Sequence, residues 1–255
     1  MRTTGELKSK AKRAMKGNYS ILIMASLATS GLSLVGSFVS TAVFPGTSTV
    51  DIILSQVFSF ILSLVLSIVS AGLSYMFLNV ARGQGCSFAD LIYFFKNHPD
   101  RVITASFVLA LINVFASLPV NYFGLTSQIG NTLNEQMNWL TTYAVLMIVS
   151  SVLNLILTLP FAMSYYLLAD DTQMSGMEAL KESMRMMKGK KIKYFILQLS
   201  FVPILFLSIF TLDIALLWVM PYMEMSFAMF YRDLTGELDA HYSEQNEISD
   251  TQQTF

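Results

Sequence analysis

The stretch IILSQVFSFILSLVLSIVSAGLSYMFLNV, residues 52–80, decides the fold class of this chain. It has no charged side chain, and it is longer than the about 20 apolar residues that a helix needs to cross a bilayer core of about 30 Å. The whole chain is 54% hydrophobic and 13% charged, whereas an average soluble domain is about 25% charged. Composition therefore places the chain among membrane proteins.

Six apolar runs, including the quoted one, are long enough to span a bilayer. They predict an all-α fold, a polytopic membrane helical bundle of three hairpins, with a tight turn at Asp213. The first run is too long for the apolar core of a signal peptide, about 7–15 residues, and is predicted to be retained. The chain is expected to form one membrane domain over 1–235, followed by a disordered acidic tail over 236–255. The predicted spans are 19–44, 52–80, 102–121, 140–168, 194–212 and 214–231.

The positions of the basic residues predict how the protein is oriented in the membrane. All 16 Lys and Arg fall before the first span, between spans two and three, between spans four and five, or after span six. The opposite loops carry only Asp51, Glu135 and Asp213. Because cytoplasmic loops have the excess of Lys and Arg, both termini are predicted to lie in the cytoplasm of a cell-membrane protein.

Two basic segments indicate an internal repeat. Residues 3–6 and 175–178 have the spacing of a helix capping box, and each is followed by Arg-x-Met-Lys-Gly ending at Gly17 or Gly189. A weaker third copy runs from Ser87 to Pro99. The pattern predicts three units, each a short cytoplasmic amphipathic helix before two spans. The alternative is that such caps simply recur where helices begin and end near a membrane.

The second of these basic segments includes SMRMMKGKK, residues 183–191, which ends a predicted helix with Met177, Leu180, Met184 and Met187 on one face. Such a helix can lie among anionic lipid headgroups, the expected partners. A specific headgroup or phosphate site is the alternative, whereas nucleic acid is not expected because exposed aromatic residues are not interleaved with the charges. The predicted interfacial residues are Arg13, Lys16, Arg185, Lys188, Lys190 and Lys191.

Polar residues also occur within the predicted spans. Serines recur along one face of span one and of span two, which indicates either close helix packing or a polar path. Glu224 is the ionisable residue well inside a span, and Pro221 is expected to interrupt that helix. Asn113, Asn154 and Gln198 are its candidate partners. Glu224 is predicted either to serve proton- or substrate-linked transport or to make a structural hydrogen bond.

The sequence lacks motifs that indicate catalysis or metal binding. No common catalytic motif occurs, so the protein is expected not to be an enzyme. One cysteine and two histidines leave too few ligands for a usual metal site, and no cofactor is expected. Arg82 is assigned to a turn, and Asp170 and Asp171 to a solvated helix end.

Several segments resemble an uncharacterised family of multi-pass membrane proteins of Gram-positive bacteria, which carries a domain-of-unknown-function label. The matching segments are 11–19, 87–91, 179–191, 217–222 and 228–234. The resemblance implies about six spans and supplies neither a substrate nor catalytic residues. At Val202-Pro203 the chain departs from the family pattern, which implies different packing at the head of span five.

Two functions follow as hypotheses. The first is a non-enzymatic, membrane-organising or accessory component whose basic helices bind anionic lipid headgroups. The second is a small transporter or permease that uses a polar site around Glu224. They differ in one structural expectation, because only the transporter requires a deep polar cavity that reaches Glu224.

Overall fold

The computed structural model describes residues 2–45, 48–211 and 214–239. In these ranges the regular secondary structure is entirely helical, and short 3₁₀ turns lie at Phe88–Ile92, Leu159–Phe161 and Ile209–Thr211. The α-helices are α1 (Thr4–Ala14), α2 (Tyr19–Val43), α3 (Thr49–Ala81), α4 (Tyr93–Lys96), α5 (Pro99–Thr126), α6 (Leu133–Thr158), α7 (Ser164–Asp170), α8 (Gly176–Met186), α9 (Lys191–Leu199), α10 (Val202–Ser208) and α11 (Leu216–Leu234).

Five helical segments in the described ranges are long and apolar enough to cross a membrane. They are 19–43, 50–81, 99–126, 133–170 and 191–208, and they coincide with the first five predicted spans. The sixth predicted span falls on α11, which is not among them. Asp213, the predicted turn, and the tail from residue 240 lie outside the described residues. The all-helical class is thus confirmed, while the number of crossings stays a prediction.

Two of the long segments are interrupted. The fourth breaks around Pro160, where a 3₁₀ turn separates α6 from α7, because proline cannot donate the helical hydrogen bond. The fifth breaks at Ser200 and Phe201, just before Val202-Pro203. The expected interruption at Pro221 is wrong, since α11 runs from Leu216 to Leu234 through that proline.

The core of the molecule lies at the end of the bundle that is predicted to face the cytoplasm. The second half of α3, from Ile68 to Ala81, is largely buried against α1, α7 and α11. In the first half, apolar side chains such as Val57 and Ile61 are more than half exposed. This exposure agrees with helices that contact lipid over one part of their length and protein over the other.

The three predicted short helices begin as expected. Thr3, Ser87 and Ser175 each form a capping box with the acidic residue three positions later. Gly17 and Gly189 have φ angles of +89° and +74°, the left-handed conformation that ends a helix. In the third copy, His98 rather than Asn97 takes that conformation, with φ of +54°.

The same positions of these short helices are buried. The residue four positions after each cap, which is Leu7, Leu91 or Ala179, is at most 6% exposed. Met15 and Met187, 172 residues apart, are both fully buried. Equivalent positions of the short helices are therefore buried to a similar extent, while the internal repeat stays a prediction.

The α8 helix uses its buried face to contact protein. Leu180 and Met187 are buried, whereas Met177 and Met184 are 47% and 41% exposed. Two of the four residues predicted on one apolar face therefore pack against protein, and contact of the helix with lipid stays a prediction. Ser183 explains the anchoring: its hydroxyl donates to the Pro160 carbonyl at 2.9 Å and accepts from the Met163 amide at 3.1 Å, which joins α8 to the break before α7.

Candidate functional site: polar cavities between the long helices

Glu224 lines a cavity of about 340 Å³ between α2, α3, α7 and α11, which we call the Glu224 cavity. Hydroxyl groups form one side of it and aromatic rings form much of the other. The hydroxyl residues are Ser26, Thr29, Ser30, Ser70 and Ser74, and the aromatic residues are Tyr165, Tyr166, Tyr194 and Phe227.

The position of Glu224 follows from the packing of α11. Ala228, Phe230 and Tyr231, one to two turns further on, are fully buried or nearly so and fix that helix against the core. Tyr166 stacks on Tyr231, and its hydroxyl donates to the backbone carbonyl of Glu224 at 3.4 Å. The half-buried carboxylate of Glu224 has no basic group within ion-pair distance among the described residues.

The hydroxyl groups of serine and threonine in this cavity can accept hydrogen bonds. Thr29, Ser70 and Ser74 donate their hydrogens to carbonyls of their own helices, at 3.0, 3.2 and 3.2 Å. Their oxygen lone pairs stay available as acceptors. The Ser26 side chain is 7% exposed, and its hydroxyl oxygen has no hydrogen-bond partner within the described part of the chain. The cavity is therefore rich in acceptors and carries one carboxylate.

A larger cavity of about 530 Å³ lies beside it, and we call it the Gln198 cavity. The described residues that line it are uncharged, and they include Ser59, Ser63 and Ser67 from the serine face of α3. The buried side-chain carbonyl oxygen of Gln198 has no hydrogen-bond partner among the described residues. Ala162, Tyr165 and Tyr194 line both cavities and so form the wall between them.

The four predicted intramembrane residues do not meet around Glu224. Asn113 and Gln198 line the Gln198 cavity, whereas Asn154 lines a separate opening of about 520 Å³ that it shares with Asn113. The serine faces of α2 and α3 prove more informative than the amides, because they line the Glu224 cavity directly. Ser40 and Ser59 join the two helices at 3.1 Å, which agrees with close packing, whereas a polar path along these serines stays a prediction.

The predicted interfacial residues remain near solvent. Arg13, Lys16, Lys188 and Lys191 are exposed, Lys190 is half-buried, and Arg185 pairs with Glu182 at 2.6 Å. Lys8 behaves differently: its ammonium group donates to the Ser200 carbonyl at 3.0 Å and lies 3.8 Å from the centre of the Phe201 ring. Burial lowers the pKa of Lys8. This lysine stabilises the break before α10, a role that sequence reasoning missed.

An ion-pair cluster, which we call the charge cluster, joins four parts of the chain. Arg82 pairs with Asp170 at 2.7 Å and with Glu237 at 2.5 Å, and Arg232 pairs with Glu237 at 2.9 Å. Tyr231 donates to Asp170 at 2.8 Å, and Arg232 also donates to the Ala81 carbonyl. Close by on α11, Asp233 pairs with Arg2 at 3.2 Å.

The charge cluster corrects two sequence expectations. Arg82 is more than part of a turn, and Asp170 is an ion-pair partner rather than a solvated helix end. Glu237 and the buried Leu238, which were expected to belong to the tail, contact the folded part of the chain. Burial alone would raise the pKa of Glu237, but hydrogen bonds and charge from Arg82 and Arg232 outweigh it and lower that pKa.

The fold and its five long apolar helices indicate a membrane protein. Residues 1–237 match the family described as "Protein of unknown function (DUF975)", so the chain belongs to that family. Searches of the curated proteins and of the solved structures gave no match. The predicted membership in a family of unknown function is confirmed, while its six spans and its occurrence in Gram-positive bacteria stay predictions.

Proposed function

We propose that this protein is a small membrane transporter or permease that takes a polar solute through the Glu224 cavity. The observation that carries the proposal is a cavity between helices that is lined by five serine or threonine side chains, three tyrosines and one carboxylate. A buried carboxylate in a membrane costs about 2.5–3.5 kcal/mol or more unless it is paired or hydrated. A solute or water in the cavity would offset that cost.

The adjacent Gln198 cavity supports the same proposal. The two cavities are separated by a wall of three residues, Ala162, Tyr165 and Tyr194. The Tyr165 hydroxyl is hydrogen-bonded to Ser106 at 2.9 Å, so the wall is held by a contact that a rotation of one side chain would break. We infer that a solute passes between the two cavities at Tyr165.

An uptake experiment tests the transporter. Purified protein in liposomes is incubated with a mixture of polar metabolites, and the solutes retained inside are identified by mass spectrometry. Wild type is expected to accumulate at least one solute that Glu224→Gln does not. Glu178→Gln, which changes an exposed capping carboxylate, is the matched control and should retain uptake. Equal uptake by wild type and Glu224→Gln would exclude the proposed role of this carboxylate.

The membrane-organising function is the second candidate, and exposed basic residues support it. Ile192 is 74% exposed and lies between Lys191 and Lys193 at the start of α9, which suits contact with lipid below anionic headgroups. In nanodiscs, anionic lipid should raise the thermal midpoint of wild type, and salt should weaken this effect. A double variant, Lys188→Gln with Lys191→Gln, should respond less. If the rise in the thermal midpoint is the same at low and high salt, and the same in wild type and the double variant, this function is contradicted.

A further inference from the structure

We propose that the Glu224 cavity binds an organic ammonium group, that is, a protonated amine. This inference rests on the proposed function, because it names the class of solute that the same cavity would take. It draws on three features that are independent of each other: the charge of the cavity, its hydrogen-bonding groups and its aromatic side.

The charge is the first feature. Glu224 is the one ionisable carboxylate or amine among the described residues that line the cavity, so a bound cation would supply the missing counter-charge. An anionic solute would be repelled by Glu224 and would meet no basic group there. A neutral solute would leave the carboxylate uncompensated, which is costly away from water.

The hydrogen-bonding groups favour a cation that carries N–H donors. Three hydroxyls on the α2 and α3 side already donate to helix carbonyls, so their oxygens can serve a solute only as acceptors. The oxygen of Ser26 is buried and has no partner among the residues described. An ammonium group has up to three donors and no acceptor, which complements such a surface.

The aromatic side favours an organic cation over a bare metal ion. Tyr166, Tyr194 and Phe227 line the cavity with the carboxylate. Aromatic faces attract cations, and they also contact the carbon atoms that an alkylamine carries. Its volume of about 340 Å³ lies near the lower end of the range for small-molecule sites, about 300–1,000 Å³, which suits a compact amine.

Matched pairs of small molecules test this inference. The protein is placed in phosphatidylglycerol nanodiscs, whose lipid has no amine, and its thermal midpoint is measured with ethanolamine or with the neutral analogue ethylene glycol. Ethanolamine is expected to raise the midpoint by about 2–6 °C at saturation, and ethylene glycol is expected to leave it unchanged. Choline, which lacks N–H donors, is expected to bind at least several-fold more weakly than ethanolamine.

Two variants locate the effect. Glu224→Gln should abolish the response to ethanolamine, and Ser26→Ala should weaken its affinity by about 3–10-fold, because each removes a group that the ammonium contacts. Glu178→Gln should respond as wild type does. If ethylene glycol stabilises as well as ethanolamine, or if Glu224→Gln still responds, the cavity is not an ammonium site.

The source of the amine and the transport function are separable. In phosphatidylethanolamine nanodiscs, loss of the response to free ethanolamine would identify the lipid headgroup as the occupant, and a retained response would identify a soluble amine. Binding without uptake into liposomes would support the ammonium site and overturn the transporter. Uptake restricted to solutes without an amine would support the transporter and overturn the ammonium site.

Discussion

Arg82 lies at the end of α3 with two carboxylates, Asp170 and Glu237, within 2.7 Å of its guanidinium. Its side chain is 24% exposed, so water screens these pairs less than it screens a pair on the open surface. The pKa of Arg82 is raised, first by the hydrogen bond to Glu237. At the scale of single residues, this side chain therefore holds together segments that are far apart in the chain.

Replacing Arg82 tests how much the charge cluster stabilises the protein. Arg82→Met should destabilise the protein by about 2–4 kcal/mol, because it leaves Asp170 without its cation and Glu237 with Arg232 alone. Arg185→Met is the matched control: that arginine also pairs with one glutamate, but its side chain is 79% exposed, and the expected loss is below about 1 kcal/mol. Thermal unfolding in detergent micelles measures both. Equal shifts would show that the cluster adds nothing beyond a surface pair.

The lowered pKa of Glu237 predicts a pH dependence. A carboxyl whose pKa is lower in the folded state contributes stability above its unfolded pKa, and this contribution is lost as pH falls through the folded value. Glu237→Gln should therefore be less stable than wild type by about 1–2 kcal/mol near pH 7. The difference should shrink as the pH falls below the pKa of an unfolded glutamate, about 4.3. A difference that stayed constant over this range would contradict the ion pairs of Glu237.

The sequence predicts residues that make local contacts better than residues whose partners are far away in the chain. Capping residues such as Thr3 and Ser175 contact groups three residues away, so the sequence reveals them directly. Arg82 and Glu237 are 155 residues apart, and nothing local indicates that they meet. Glu224 was recognisable because a carboxylate is rare in an apolar run, but its serine neighbours come from α2 and α3 and became evident only from the packing.

At the scale of whole helices, one close approach of two backbones occurs where α3 meets the turn at Phe88–Ile92. A Cβ at Gly72 would lie 2.2 Å from the backbone oxygen of Leu91, so only glycine permits this contact. Tyr75, less than one turn further along α3, stacks on Tyr93 with ring centres 4.2 Å apart. The short segment that begins at Ser87, the third copy of the predicted repeat, therefore lies against the side of α3.

Two single Gly→Ala variants in helices distinguish the effect of tight packing on stability from the effect of helix propensity. Gly72→Ala should lower the free energy of unfolding by about 1–3 kcal/mol, because the backbone of Leu91 must move. Gly31→Ala, in α2, meets nothing within 4 Å and should be neutral or stabilising by up to about 1 kcal/mol. Both are compared with wild type by denaturation in micelles. A stable Gly72→Ala would mean that the contact with Leu91 is loose.

Element boundaries could be predicted where hydrophobic length alone decides them. The first three predicted spans begin and end within a few residues of α2, α3 and α5. The breaks at Pro160 and at Ser200 could not be placed by length. Pro119 shows why proline alone is insufficient: α5 continues through it to Thr126, so the surrounding contacts decide whether a helix breaks.

For the molecule as a whole, orientation is the property that the basic residues predict. The charge cluster and the short helices share one end of the bundle with most of these residues, which agrees with a single polar side. Fusions after Phe255 test this: green fluorescent protein should be fluorescent there, and alkaline phosphatase, which is active only outside the cytoplasm, should be inactive. Active phosphatase would reverse the predicted orientation or change the number of crossings.

The charge cluster also has a consequence for biosynthesis. Glu237 is synthesised 155 residues after Arg82, so at about 5–20 residues per second Arg82 waits roughly 8–30 s for this partner. During that time the end of α3 carries an incompletely neutralised arginine. A polypeptide released before Glu237 never closes the cluster, because it lacks the second carboxylate that pairs with Arg82. The cluster thus distinguishes a finished chain from an unfinished one.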